Sequence, residues 1–93
     1  MKTKVVFKKI TFFANFTDDK EDKIVEINAI FPEEKERGGF VSGYAHIGQH
    51  TSFHKDFLVD GKTDRHTIET ATEEEYRELK TELELIGYKL EVI

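Results

Sequence analysis

Apolar and polar residues alternate with a period of two through much of the first half of the chain, and the period lengthens to that of a helix near residue 72. Val5 and Phe7 alternate with Lys4 and Lys8, and Ile10, Phe12, Ala14 and Phe16 form a second alternating set of opposite parity. A one-residue slip moves every side chain to the other face, so the pattern predicts a bulge or bend near Lys8 and Lys9. The polar run Thr17–Asp22 reads as a hairpin loop. Lys23 to Phe31 reads as the second strand, with Val25, Ile27, Ala29 and Phe31 on one face and Pro32 closing it, because proline cannot donate to a ladder. Glu33–Gly39 reads as a charged loop, and Phe40–Ile47 as a central strand that is apolar on both faces. In Gly48–Thr70 the pattern is irregular, with Phe53, Phe57, Leu58 and Val59 as its buried candidates and Asp60-Gly61 as a turn signal between two short strands.

The helix carries the sharpest signal. Thr72 with Glu75 three residues on forms a capping box, flanked by Ala71 and Tyr76 at the staple positions. Tyr76, Leu79, Leu83 and Ile86 then share one face, and Gly87 is placed as the left-handed residue that ends the helix, with Tyr88 folding back on Leu83. Tyr88, Leu90 and Val92 alternate into a last strand. The predicted fold is α+β: a single domain over residues 1–93, built as one small antiparallel sheet of four or five strands, with one helix in the C-terminal half packed on one face and followed by a last strand. The predicted core is Val5, Phe7, Val25, Ile27, Phe31, Val41, Tyr76, Leu79, Leu83, Ile86, Leu90 and Val92.

Composition narrows the class. With 93 residues the chain has the length of one domain. It has no cysteine, which excludes disulfides, thiolate metal sites and a cysteine nucleophile. No apolar run reaches the ~18 residues of a membrane span. The N-terminal segment lacks a signal-peptide pattern, so the expected location is cytoplasmic. The net charge of −5 is unevenly placed: residues 1–66 hold 11 basic and 11 acidic side chains, whereas 67–93 hold 3 and 8. These totals argue against a nucleic-acid partner, although Lys2, Lys4, Lys8 and Lys9 with Phe7, Phe12, Phe13 and Phe16 form a basic-aromatic pattern of the kind single-strand binders use.

In order along the chain, Phe7-Lys8-Lys9, Ala29-Ile30-Phe31-Pro32-Glu33, Tyr44-Ala45-His46-Ile47-Gly48-Gln49-His50, and Ala71-Thr72-Glu73-Glu74-Glu75-Tyr76 with Leu83–Leu90 resemble a group of small proteins from gut bacteria, their phages and mobile elements. The stretch Ile10–Lys23 departs from that pattern as an extra segment. The group carries no established activity, so the resemblance transfers no catalytic residue. What it implies is a phage or mobile-element accessory role.

Two chemistries compete with simple binding. His46, His50 and His54, with His66, could form a metal site, but residues four apart on a strand stand ~13 Å from each other, too far to share an ion. Alternatively, His46 or His50 beside Tyr44 and Glu26 or Asp56 could work as a general acid or base. No phosphate loop or nucleophile-elbow motif accompanies them. The reading that best absorbs the sequence is a non-enzymatic protein that needs no cofactor and binds, and inhibits, a host protein. Its partner surface is placed on the loop from Gln49 to Arg65, with Gln49, His50, Phe53, His54, Asp56 and Phe57 as contacts, and on the acidic helix row Glu74, Glu78 and Glu82. The aromatic-rich stretch Ile10–Phe16 is the expected homodimer contact.

Overall fold

A computed structural model of the chain describes residues 2–13, 23–45, 49–63 and 66–93. Strands β1 (Thr3–Phe13), β2 (Lys23–Lys35), β3 (Phe40–Ala45), β4 (Gln49–His54), β5 (Gly61–Lys62), β6 (His66–Thr70) and β7 (Leu90–Val92) surround one helix, α1 (Glu73–Leu85). The path through the sheet is β4-β3-β2-β1-β6-β5, and β7 joins β1. All pairings are antiparallel except β1 with β7, which run parallel in the register Thr3↔Leu90 to Val5↔Val92. The α+β class and the position of the helix before a last strand agree with the sequence. The strand count does not: there are seven described strands, because the irregular stretch Gly48–Thr70 supplies three.

The helix follows its local signals. Thr72 Oγ1 accepts from the Glu75 N–H at 3.2 Å, and the Thr72 N–H donates to the Glu75 carboxylate at 3.0 Å, completing the capping box. At the other end Tyr88 N–H reaches the Leu83 carbonyl and Gly87 N–H the Glu84 carbonyl, with Gly87 at φ 115°, a left-handed stop. Leu79 and Leu83 are buried against Val5, Phe7, Ala29, Phe31 and Tyr44, while Ile27, Tyr76, Tyr88 and Leu90 pack at the margin.

β1 corrects the predicted bulge. Its register against β2 runs without a shift from Val6↔Ile30 to Phe13↔Lys23. The change of parity reflects burial on both faces of one regular strand. Val5 and Phe7 face α1, whereas Ile10 lies on the opposite face, beside Ile68 of β6 and in the same sheet layer as Ile30. β1 sits inside the sheet, flanked by β2 on one side and by β6 and β7 on the other, so its lysines do not guard an edge. Pro32 does not end β2 either; the strand continues to Lys35, and the ladder with β3 shifts between Phe31 and Lys35, where a missing donor is tolerated. Val25 and Val92, placed in the core by periodicity, are exposed because one thirteen-residue helix does not cover a sheet this wide, and Ile86, also placed there, is exposed as the residue that caps the end of the helix.

The second face of the sheet is covered by the chain itself. From the end of β4 the backbone passes through a 3-10 turn, Lys55–Leu58, that lies over β1 and β2 before reaching β5 at the far side. This crossover gives the sheet a second buried layer, containing Ile10, Ile30, Val41 and Ile68 with half-buried Phe53, Phe57 and Leu58. The predicted Thr17–Asp22 loop lies outside the described residues.

Candidate functional site

The crossover is built from local bonds. His54 caps its 3-10 turn: the Asp56 N–H donates to His54 Nδ1 at 3.2 Å. The Asp56 carboxylate stands equally close to the same nitrogen, so the neutral ring accepts the backbone N–H and a protonated ring would pair with the carboxylate. Phe57 stacks on His66 with centroids 5.3 Å apart and meets Phe53 edge-on at 6.0 Å.

Asp60 fastens the far end. Its carboxylate accepts from Lys8 Nζ at 2.8 Å, from Thr70 Oγ1 at 2.8 Å and from the Thr70 N–H at 3.2 Å. Lys8 is only 6% exposed and also donates to Thr70 Oγ1. A buried ammonium needs a paired anion, and Asp60 provides it from the crossover. The Asp60-Gly61 dipeptide is therefore an anchor and the start of β5, not the hairpin turn that its sequence suggests; β5 pairs directly with β6.

The Lys8 hydrogen bond, followed by that from Thr70, holds the Asp60 carboxyl below its ordinary range. A depressed folded-state pKa adds stability above the unfolded value of about 3.9 and loses it as pH falls through the folded value. The acid limb of the native chain's melting curve, below about pH 4, is thus expected to be steeper than that of Asp60→Asn. Parallel limbs for the two proteins would show that the clasp contributes nothing.

Between the crossover and the β5–β6 hairpin lies a cleft of about 730 Å³. Phe57, Val59 and Ile68 make its apolar wall, and His54, Asp56, Lys62 and His66 its polar rim. Val59 is 69% exposed, the most exposed large apolar residue of the crossover. Thr63 Oγ1 contacts His66 Nδ1 at 3.3 Å, and the same hydroxyl bonds the His66 backbone N–H and carbonyl, tying Thr63 to the first residue of β6.

The sequence-derived site residues divide among three places. Gln49 and His50 lie on β4, a regular strand and not a loop. His50 is on the helix face, where its Nε2 lies 2.8 Å from the Tyr88 hydroxyl and its ring meets Tyr44 edge-on. Tyr44 donates to Glu82 at 3.1 Å, so the acidic row is not wholly free; Glu74 and Glu78 are exposed. Burial, then the Glu82 contact, raises the Tyr44 pKa above its ordinary value. His54, Asp56 and Phe57 belong to the cleft. Phe53 is half-buried, its ring lying over Gly43.

Among the described residues no three histidine or carboxylate side chains converge in a metal-binding group. His50, His54 and His66 have separate partners, and His46 lies outside the described residues. Of the groups considered for acid–base work, Glu26 pairs in register with Ile10 on the crossover face and Asp56 sits with His54, while His50 stands beside Tyr44 and Tyr88. Of the basic-aromatic pattern, Lys4 pairs with Glu33, Lys8 with Asp60 and Lys9 with Glu75, while Phe7 is buried. In the predicted dimer segment, Ile10 is fully buried and Phe12 half-buried beside His66; the side chain of Phe13 and residues 14–16 lie outside the description. No helix among the described residues is long and apolar enough to cross a membrane.

Val59, expected to be buried with Phe53, Phe57 and Leu58, is exposed, and the Lys8–Asp60 clasp is not legible in the sequence. A lysine in an alternating strand reads as solvated, and only the crossover's path reveals its cover. No protein-family model matches the chain, and neither does any curated protein or solved structure.

Proposed function

We propose that this chain is a non-enzymatic accessory protein of a phage or mobile element that binds, and inhibits, a host protein through the crossover face. The cleft between Phe57, Val59 and Ile68 is the observation that carries the binding reading. It joins an apolar wall to a polar rim, the composition that gives a desolvated anchor with directional contacts around it. Its irregular backbone is pinned by the Asp60 clasp at one end and by the His54 cap at the other. Such pinning lowers the ordering cost of association. The phage or mobile-element origin rests on the resemblance of the Tyr44–His50 and Glu74–Tyr88 segments.

Val59 is a better probe than Phe53, because the Phe53 ring is part of the packing over Gly43. In affinity capture from a gut-bacterial lysate, Val59→Glu is expected to weaken retention of a captured host protein at least tenfold while its melting temperature changes little. A Glu74, Glu78, Glu82 triple Gln variant is expected chiefly to slow association, since rim charges act on encounter rate more than on affinity. Retention by Val59→Glu with loss in the triple variant would move the binding surface to the helix. Capture of no host protein would count against the reading as a whole.

A further inference from the structure

Asp60-Gly61 is the only Asp-Gly or Asn-Gly step in the chain. An aspartate followed by glycine closes readily on the next backbone nitrogen, because glycine carries no side chain to shield it. The surroundings of Gly61 are open too. A Cβ built there would meet nothing within 4 Å, and Gly61 is not one of the left-handed glycines. What resists the reaction lies on the aspartate side. The Asp60 carboxylate accepts from Lys8 Nζ at 2.8 Å, from Thr70 Oγ1 at 2.8 Å and from the Thr70 N–H at 3.2 Å, all of them on β1 and β6. These bonds tether the carboxylate to the sheet and keep it ionised, and an ionised carboxylate is a poor electrophile.

We propose that Asp60-Gly61 is a site of spontaneous isoaspartate formation, restrained by the clasp with Lys8 and Thr70, and that the modification, once made, opens the clasp. In the first step the Gly61 backbone nitrogen bonds to Asp60 Cγ and gives up its proton. The hydroxyl of the protonated carboxyl leaves with that proton as water, which closes a succinimide ring. In the second step water adds at the former main-chain carbonyl of Asp60 and breaks its bond to the Gly61 nitrogen. The chain then runs through Cβ and Cγ, and the free carboxylate sits on Cα. Water is lost and regained, so the mass is unchanged and nothing is oxidised or reduced. The product has an added methylene in its main chain and a carboxylate drawn back against it. Lys8, itself buried, thereby loses the anion that its burial requires. The added methylene also falls just before Gly61, the first residue of the β5–β6 ladder.

The test follows isoaspartate in the purified full chain over weeks at neutral pH and body temperature, by an isoaspartyl-specific methyltransferase assay and by peptide mapping. Asp56, which Phe57 follows, is the internal reference. The native chain is expected to isomerise at Asp60 at least tenfold more slowly than a free peptide of residues 57–63. Lys8→Met is expected to raise the native rate at least fivefold. Thr70→Val, a change of the same shape at an exposed position, is expected to raise it severalfold and carries the comparison if Lys8→Met does not fold. Gly61→Ala, for which the structure has room, is expected to suppress the modification at least tenfold in either clasp variant with the melting temperature little changed. The isoaspartyl form, separated by ion exchange, is expected to melt well below the native chain. A native rate equal to that of the peptide, or equal rates in the native chain and folded Thr70→Val, overturns the restraint. An isoaspartyl form that melts with the native chain overturns the opening of the clasp. None of these readouts involves a host protein, so they stand or fall apart from the crossover reading.

Discussion

Leu83→Ala is expected to lose about 2–5 kcal/mol of folding stability. Leu83 is fully buried, within the same cluster as Val5, Phe31 and Leu79, and the Tyr88 N–H closes the helix on its carbonyl. Truncation leaves a cavity between a helix and a sheet that are both fixed by other bonds, so the site collapses little. Ile86→Ala, on the same predicted stripe but 53% exposed, is the natural control and should change stability by only tenths of a kcal/mol. Chemical denaturation of both variants checks the pair. Equal losses would show that the helix presents a different face to the sheet.

Gly43→Ala is expected to cost about 1–3 kcal/mol by overpacking. A Cβ at this position would lie 2.8 Å from the Ala29 carbonyl oxygen and closer still to the Phe53 ring. The ring can turn aside, but the carbonyl belongs to the neighbouring strand. Gly43→Ala combined with Phe53→Ala should therefore lose less than the two single variants added together, because part of the clash goes with the ring. Strict additivity would mean that Phe53 does not lie over Gly43.

The helix was legible because its signals are local. Thr72, Glu75 and Gly87 act within a few residues of their partners, and the structure realises both ends as their chemistry requires. The strands were legible as strands, but their burial was not. Alternation reports parity, and parity cannot say whether one layer or two covers a sheet. Ile10 and Ile30 are buried by a crossover that a chain of Phe, Leu and Val between turns does not announce. Lys8 misled for the same reason: its partner Asp60 lies far along the chain, and sequence carries no mark of that pairing. The site residues fared unevenly. His54, Asp56 and Phe57 do sit together on the cleft, while His50 was drawn to Tyr44 and Tyr88 on the other face by the register of β4. Val59 reads as buried from its apolar character alone, but it is exposed, because a single aliphatic residue between turns carries no parity to say which way it faces.

The parallel pairing of β7 with β1 also governs the order in which the chain becomes native. β1 is made first, yet three of its neighbours, β6, α1 and β7, are made last. During synthesis the hairpin with β2 can form early, but the flank of β1 from Thr3 to Val5 waits for Leu90–Val92. Closure over so long a stretch of chain carries an entropic cost before any contact rewards it. Topologies dominated by such distant pairings fold in milliseconds to seconds, not microseconds. Until that closure the nascent chain exposes Val5 and Phe7, the residues that α1 later buries. This is the interval in which the newly made protein is most exposed to misassociation and to proteolysis.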